Sequence, residues 1–213
     1  MQPFCFNTKC DQTLLLGLKV RNIHGLLDGI RRVPDAAIYY HTHRFLQQHH
    51  YLSPEPPNDF AYWVTDVMGD AALGEELSSV DIVHFSSIAD LRATFIEILE
   101  RSVETTEHVS LSARGEDFHF MASRLFVLST GLCARDLSEF LAILERISIA
   151  SLYYHVFDAK LRLGRGQNDF SAWFRDLGYE DLADEMARLD PYTYTLEGLR
   201  HTILTLGRDY DGH

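Results

Sequence analysis

Two periodicities alternate along the chain. Phe4-Cys5-Phe6 and Phe118-His119-Phe120 place rings at every second position, which puts both on one face of a short strand. Elsewhere the apolar residues recur every three or four. Ile23, Leu26, Leu27 and Ile30 share one helical face, as do Leu137, Phe140, Leu141 and Leu144, with Asn22 and Asp136 ahead of them as caps. Glu139, three places after Asp136, has capping-box spacing. Further helices begin near Ala36 and Ala150 and carry Tyr-Tyr-His. Ser53-Pro54-Glu55-Pro56-Pro57 ends one and Gly164-Arg165-Gly166 the other, since Pro lacks the amide donor and Gly loses too much entropy in a helix. Asn-Asp then opens a helix through Trp63 or Trp173, and a shorter one follows near Leu77 or Met186. The last helices start from hydroxyl caps, Ser87 and Thr195. They bury Ile88, Leu91, Phe95 and Leu99, or Leu196, Leu199, Ile203 and Leu206.

Every element is thus met twice, and in the same order. Aligned without gaps, Gly17–His41 and Gly131–His155 share Gly17/Gly131, Leu18/Leu132, Arg21/Arg135, Leu27/Leu141, Arg32/Arg146, Ala36/Ala150, Tyr39/Tyr153, Tyr40/Tyr154 and His41/His155. Chance matching over such a stretch gives about one or two identities. Asn58-Asp59-Phe60-x-x-Trp63-x-x-Asp66 recurs as Asn168-Asp169-Phe170-x-x-Trp173-x-x-Asp176, and Ser87-x-x-x-Leu91-Arg92 as Thr195-x-x-x-Leu199-Arg200. The expected fold is mainly α with short β-strands, a tandem duplication of one helical module. The first module spans 1–104, a polar connection 105–116 and the homologous second module 117–213, the two facing each other about a pseudo-twofold axis.

The run Ile38-Tyr39-Tyr40-His41-Thr42-His43-Arg44-Phe45-Leu46, followed by Pro57-Asn58-Asp59-Phe60-Ala61-Tyr62-Trp63-Val64, resembles the uncharacterised domain family numbered 5752. The resemblance covers most of the chain. It implies no activity, because none is assigned to the family, and it transfers no catalytic residue.

Composition narrows the function classes. Thirty-one acidic against 19 basic residues give a net charge of −12, a field that repels phosphate backbones and anionic lipid. No apolar run approaches the roughly 20 residues of a membrane span, and the opening residues have no basic-then-apolar leader pattern. Cys5, Cys10 and Cys133 cannot all pair and form no Cys-x-x-Cys, so reduced thiols in a cytoplasm are expected. Expected partners are a protein or a small molecule, with no nucleic acid and no membrane; a homodimer is compatible with the pattern.

Eleven histidines include His41, His43, His49 and His50. Helical ligands share a metal at separations of three or four, and no pair among these four has that spacing, so neither a metal nor a cofactor is expected. A metal-binding protein using residues 41–50 is the remotest alternative. His41 and His155 recur in both modules. Each lies three residues after an apolar position (Ile38, Leu152) and so points inward, where its ring needs partners. Asn58-Asp59 and Asn168-Asp169 are the candidates: one side chain of each pair caps a helix and the other meets the imidazole. A carboxylate-held histidine is also how a general base is oriented, so an enzyme using His41 or His43 with Asp59 is the main alternative. Retention of the pair in both modules favours a structural role. The leading expectation is therefore a non-enzymatic binding or adaptor protein. Its recognition residues would be those of one copy: His43, Arg44, Gln47, His49, His50 and the proline-rich loop.

Overall fold

The computed structural model describes residues 2–44, 58–82, 84–105, 111–112, 115–163, 167–189 and 195–211. Strand β1 (Phe4–Val20) pairs with β2 (Phe118–Ala134) in an antiparallel two-stranded sheet. The rest is mostly helix. Helices Ile23–Arg32, Asp35–Tyr39, Asp59–Tyr62, Ala71–Ser78 and Ile88–Thr105 follow β1. Leu137–Leu144, Ile149–Tyr153, Ala159–Leu163, Asp169–Asp176, Glu180–Ala187 and Leu196–Asp211 follow β2.

The strands run far beyond the Phe-x-Phe alternation that marks their start. Leu14-Leu15-Leu16 and Leu125–Leu128 lack alternation altogether, so a period of two cannot flag them. Pairing between strands holds them extended instead. Gly17 and Gly131 sit inside them at φ of 71° and 72°, a region that residues with a Cβ rarely adopt.

Two compact units emerge, and their membership does not follow chain order at the strands. One unit, called the C-unit here, joins the segment ending at Cys10 to the residues from Leu125 onward; the other, the N-unit, draws its described residues from Asp11 to Arg124. The opening strand therefore packs with the later helices. Phe4 and Phe6 lie among Phe140, His155 and Phe170, with ring centroids 5.0–6.2 Å apart. In the N-unit, Phe118 and Phe120 of β2 meet His41 and Phe60 in the same way. Each of these four Phe rings is buried, an apolar contribution of about 1.5–3 kcal/mol per side chain. Helix Ile23–Arg32 approaches Phe120 so closely that a Cβ on Gly29 would lie 2.3 Å from its ring.

Both Tyr-Tyr-His helices change pitch at the same place. Tyr40–Arg44 and Tyr154–Asp158 are π-helical turns, which widen the helix by one residue and re-aim its side chains. A third such turn spans Trp63–Val67. Helical periodicity in sequence carries no trace of them.

Cys5 and Cys133 are joined by a disulfide, and Cys10 is free and exposed. This replaces the expectation of reduced thiols. Separated by 128 residues, the two become cross-strand neighbours only through the sheet. No described helix is long and apolar enough to cross a membrane.

Candidate functional site

The polar residues found in both halves form one bonding scheme in each unit. In the N-unit, Asn58 Oδ1 accepts the Ala61 amide at 2.8 Å and its Nδ2 donates to Leu77 O at 3.0 Å. Asn58 is thus the helix cap, and it also ties that helix to the next. Asp59 faces His41, with Oδ2 2.7 Å from Nδ1. The other ring nitrogen, Nε2, accepts the backbone N–H of Met121 at 3.0 Å. An amide can only donate, so Nε2 holds the lone pair and the ring proton sits on Nδ1, donated to Asp59.

The C-unit repeats this geometry with different atoms of the chain. Asn168 Oδ1 accepts the Ser171 amide at 2.8 Å and Nδ2 donates to Met186 O at 2.7 Å. Asp169 Oδ2 lies 2.7 Å from His155 Nδ1, and His155 Nε2 accepts the Asn7 amide at 2.8 Å. Two further repeated residues complete the scheme. Trp63 Nε1 donates to Glu116 O at 2.8 Å, and Trp173 Nε1 to Gln2 O at 3.2 Å. Arg92 donates to Ile30 O, and Arg200 to Leu144 O and Ile147 O at 2.7 Å each. Guanidinium at a helix carboxyl end satisfies carbonyls that the helix itself leaves open.

This arrangement decides what His41 can do. A general base needs a free lone pair within reach of a substrate proton. Both nitrogens of His41 and of His155 are engaged internally, and the two residues are only 1 % and 2 % exposed. Histidine holds the strand that comes from the other half of the sequence, and tryptophan the residues just ahead of it, each by a backbone atom.

The expected recognition residues, which the later half of the sequence does not share, lie elsewhere in the N-unit. His43 is buried, its ring stacked 5.3 Å from that of Tyr39 and its Nδ1 3.0 Å from Thr42 Oγ1. Arg44 is partly exposed; its guanidinium lies 4.9 Å over the Tyr40 ring and donates to Thr13 Oγ1. Asp11, two residues before Thr13 on the same strand, accepts from Ser123 Oγ at 2.8 Å. Gln47, His49, His50 and the proline-rich loop lie outside the described residues. Among the described residues, no three His, Cys, Asp or Glu side chains converge as a metal site would require.

At the positions that align in sequence the C-unit differs. Phe157 stands for His43 and Asp158 for Arg44, while Lys9 stands for Ser123. Lys9 Nζ and Asp158 Oδ2 form a 2.6 Å ion pair whose side chains are 0 % and 4 % exposed, with Nζ 4.7 Å over the Tyr153 ring. No local motif marks this pair, whose partners lie on elements far apart in the chain. Leu125–Leu128 is a second unanticipated feature: four consecutive apolar residues, all exposed, where the aligned earlier segment reads Asp11-Gln12-Thr13-Leu14.

Comparison with curated proteins gives no match. Among solved structures the chain is similar to OrfY from Thermoproteus tenax, at 29% sequence identity and a TM-score of 0.84, over 100% of this chain and 97% of that one. The chain belongs to the family of unknown function DUF5752, which matches residues 1–208.

Proposed function

We propose that the chain is a non-enzymatic binding protein made by tandem duplication of one helical module, 1–104 and 117–213, with its recognition face on the N-unit. The observation that carries this reading is the use of both nitrogens of His41 and His155 in internal hydrogen bonds. The same atoms of His, Trp and Asn do the same work in both units, which supports duplication. Recognition then falls to residues that differ between copies: the partly exposed Arg44, with the buried His43 packed behind it on Tyr39, and Thr13, Asp11 and Ser123 on the strands of the N-unit. Among the described residues, Arg44 meets no carboxylate, whereas the charge at its counterpart, Asp158, is neutralised by Lys9. A planar guanidinium held over the Tyr40 ring suits a carboxylate or phosphate group on a small molecule or protein.

Thermal-shift titration with a panel of carboxylates and phosphates tests the reading. The expected result is a compound that raises the Tm of the wild type but not of Arg44→Ala, and is recovered unchanged. Turnover of that compound, abolished by His41→Gln in a folded protein, would overturn it.

A further inference from the structure

The exchanged strand in the C-unit is bound as a peptide ligand is bound. Its backbone is read at Gln2 O by Trp173, at Asn7 N–H by His155 and at Asn7 O by Ser151 Oγ, 2.6 Å away. Thr130 Oγ1 donates to Phe6 O at 2.6 Å. Phe4 and Phe6 fill an aromatic pocket beside these contacts, and Lys9 reaches the buried Asp158. Main-chain hydrogen bonds with pockets for alternate side chains are the usual logic of strand addition. The N-unit holds Glu116–Met121 by the same His, Trp and double-Phe contacts, so the receptor reads a pattern rather than one sequence. Charge separates the two receptors. Asp158 of the C-unit complements Lys9, whereas Arg44 stands at that repeat position in the N-unit.

One covalent bond closes this interaction. Cys5 lies in the middle of the bound segment and is tied to Cys133, both residues exposed to solvent and hence open to attack by an external thiolate. We propose that the groove of the C-unit is a binding site for an extended Phe-x-Phe segment with a following lysine, latched onto its own residues 2–10 by Cys5–Cys133. Reduction lets it take the same segment from a second copy of the chain. The reductant is a dithiol: it attacks the Cys5–Cys133 bond and leaves as its own disulfide, delivering two electrons and two protons that convert both cysteines to thiols. The incoming segment remakes each contact of the outgoing one, which is why reciprocal strand exchange carries little cost beyond association itself.

The test uses the full chain and a fluorescent peptide of residues 2–10 with both cysteines replaced by serine. The Cys5→Ser/Cys133→Ser protein should bind this peptide saturably and form dimers in a concentration-dependent way by light scattering. The oxidised wild type should do neither. A peptide carrying Phe4→Ala and Phe6→Ala, or Lys9→Glu, should bind at least about tenfold more weakly. A folded double variant that stays monomeric and captures no peptide overturns the proposal. So does capture that ignores the Phe and Lys changes, and capture without dimers overturns the second copy as occupant. If the variant does not fold, dithiol-reduced wild type replaces it. Loss of the fold there too overturns the proposal, because the groove must outlast its latch. The proposal stands apart from the recognition face of the N-unit, since every contact it invokes lies on residues of the C-unit.

Discussion

His155 Nε2 accepts the amide of Asn7 across 2.8 Å, from a residue 148 positions earlier in the chain. That amide lies on the edge of β1, and an unmet backbone donor in such a place costs free energy. The imidazole supplies the acceptor, and Asp169 fixes which nitrogen it offers. His41 does the same for Met121 under the control of Asp59. Each histidine is therefore the closing piece of a strand exchanged from the other half of the sequence.

Removing the ring strands both partners. His155→Ala should destabilise the C-unit by about 1–3 kcal/mol, because the Asn7 amide and the Asp169 carboxylate lose their bonds together. His41→Ala should cost the N-unit a similar amount. Urea denaturation of both variants, followed by unit-specific hydrogen exchange, checks the size and the location of the loss.

The indoles hold the chain just ahead of the same strands by a carbonyl. Trp63→Phe and Trp173→Phe keep an aromatic ring but lose one donor, to Glu116 O and Gln2 O respectively. A loss of about 0.5–1.5 kcal/mol is expected for each, read from denaturation midpoints. The shorter bond of Trp63 should make its variant the weaker one.

Packing around the exchanged Phe120 leaves no room for a methyl group. Gly29→Ala gains helix propensity, yet it should lower stability by about 1–3 kcal/mol because the ring must move. An unchanged or higher Tm for this variant would place Phe120 elsewhere.

One carboxylate makes stability depend on acid. The Lys19 hydrogen bond, with Arg21 and Ser112 adding to it against the opposing effect of burial, holds Asp117 below the ordinary aspartate value of 3.8. A folded-state pKa below the unfolded one means that this stabilisation is present above the ordinary value and is lost as pH falls through the depressed one. Tm measured against pH should drop in that acid window for the wild type, and drop less for Asp117→Asn.

Much of the helical framework is legible in the sequence, because caps and apolar stripes are local. Asn58 and Asn168 precede their helices, and Ile23, Leu26, Leu27 and Ile30 recur at helical spacing and are buried. The meeting of His41 with Asp59 is also within reach of the pattern, since two polar side chains forced into a core need one another. Which strand the histidine holds is not local. Phe4 precedes helix Ile23–Arg32 in the chain but packs with Phe140 and Phe170, and no periodicity encodes that choice. The Cys5–Cys133 bond and the Lys9–Asp158 pair are hidden for the same reason: each exists only after the strands have exchanged. The π-turns escape too, because one extra residue in a turn leaves the apolar spacing almost intact.

The central claim is that both repeated histidines hold an exchanged strand through Nε2 while Nδ1 carries the proton. Nitrogen-15 NMR of the imidazoles measures this directly, through the tautomer and through the coupling across each N–H···N hydrogen bond. The account predicts the Nδ1–H tautomer for His41 and His155, with couplings from the Met121 and Asn7 amides to Nε2. Protonated Nε2 in either ring, or no coupling to those two amides in the folded protein, would contradict it.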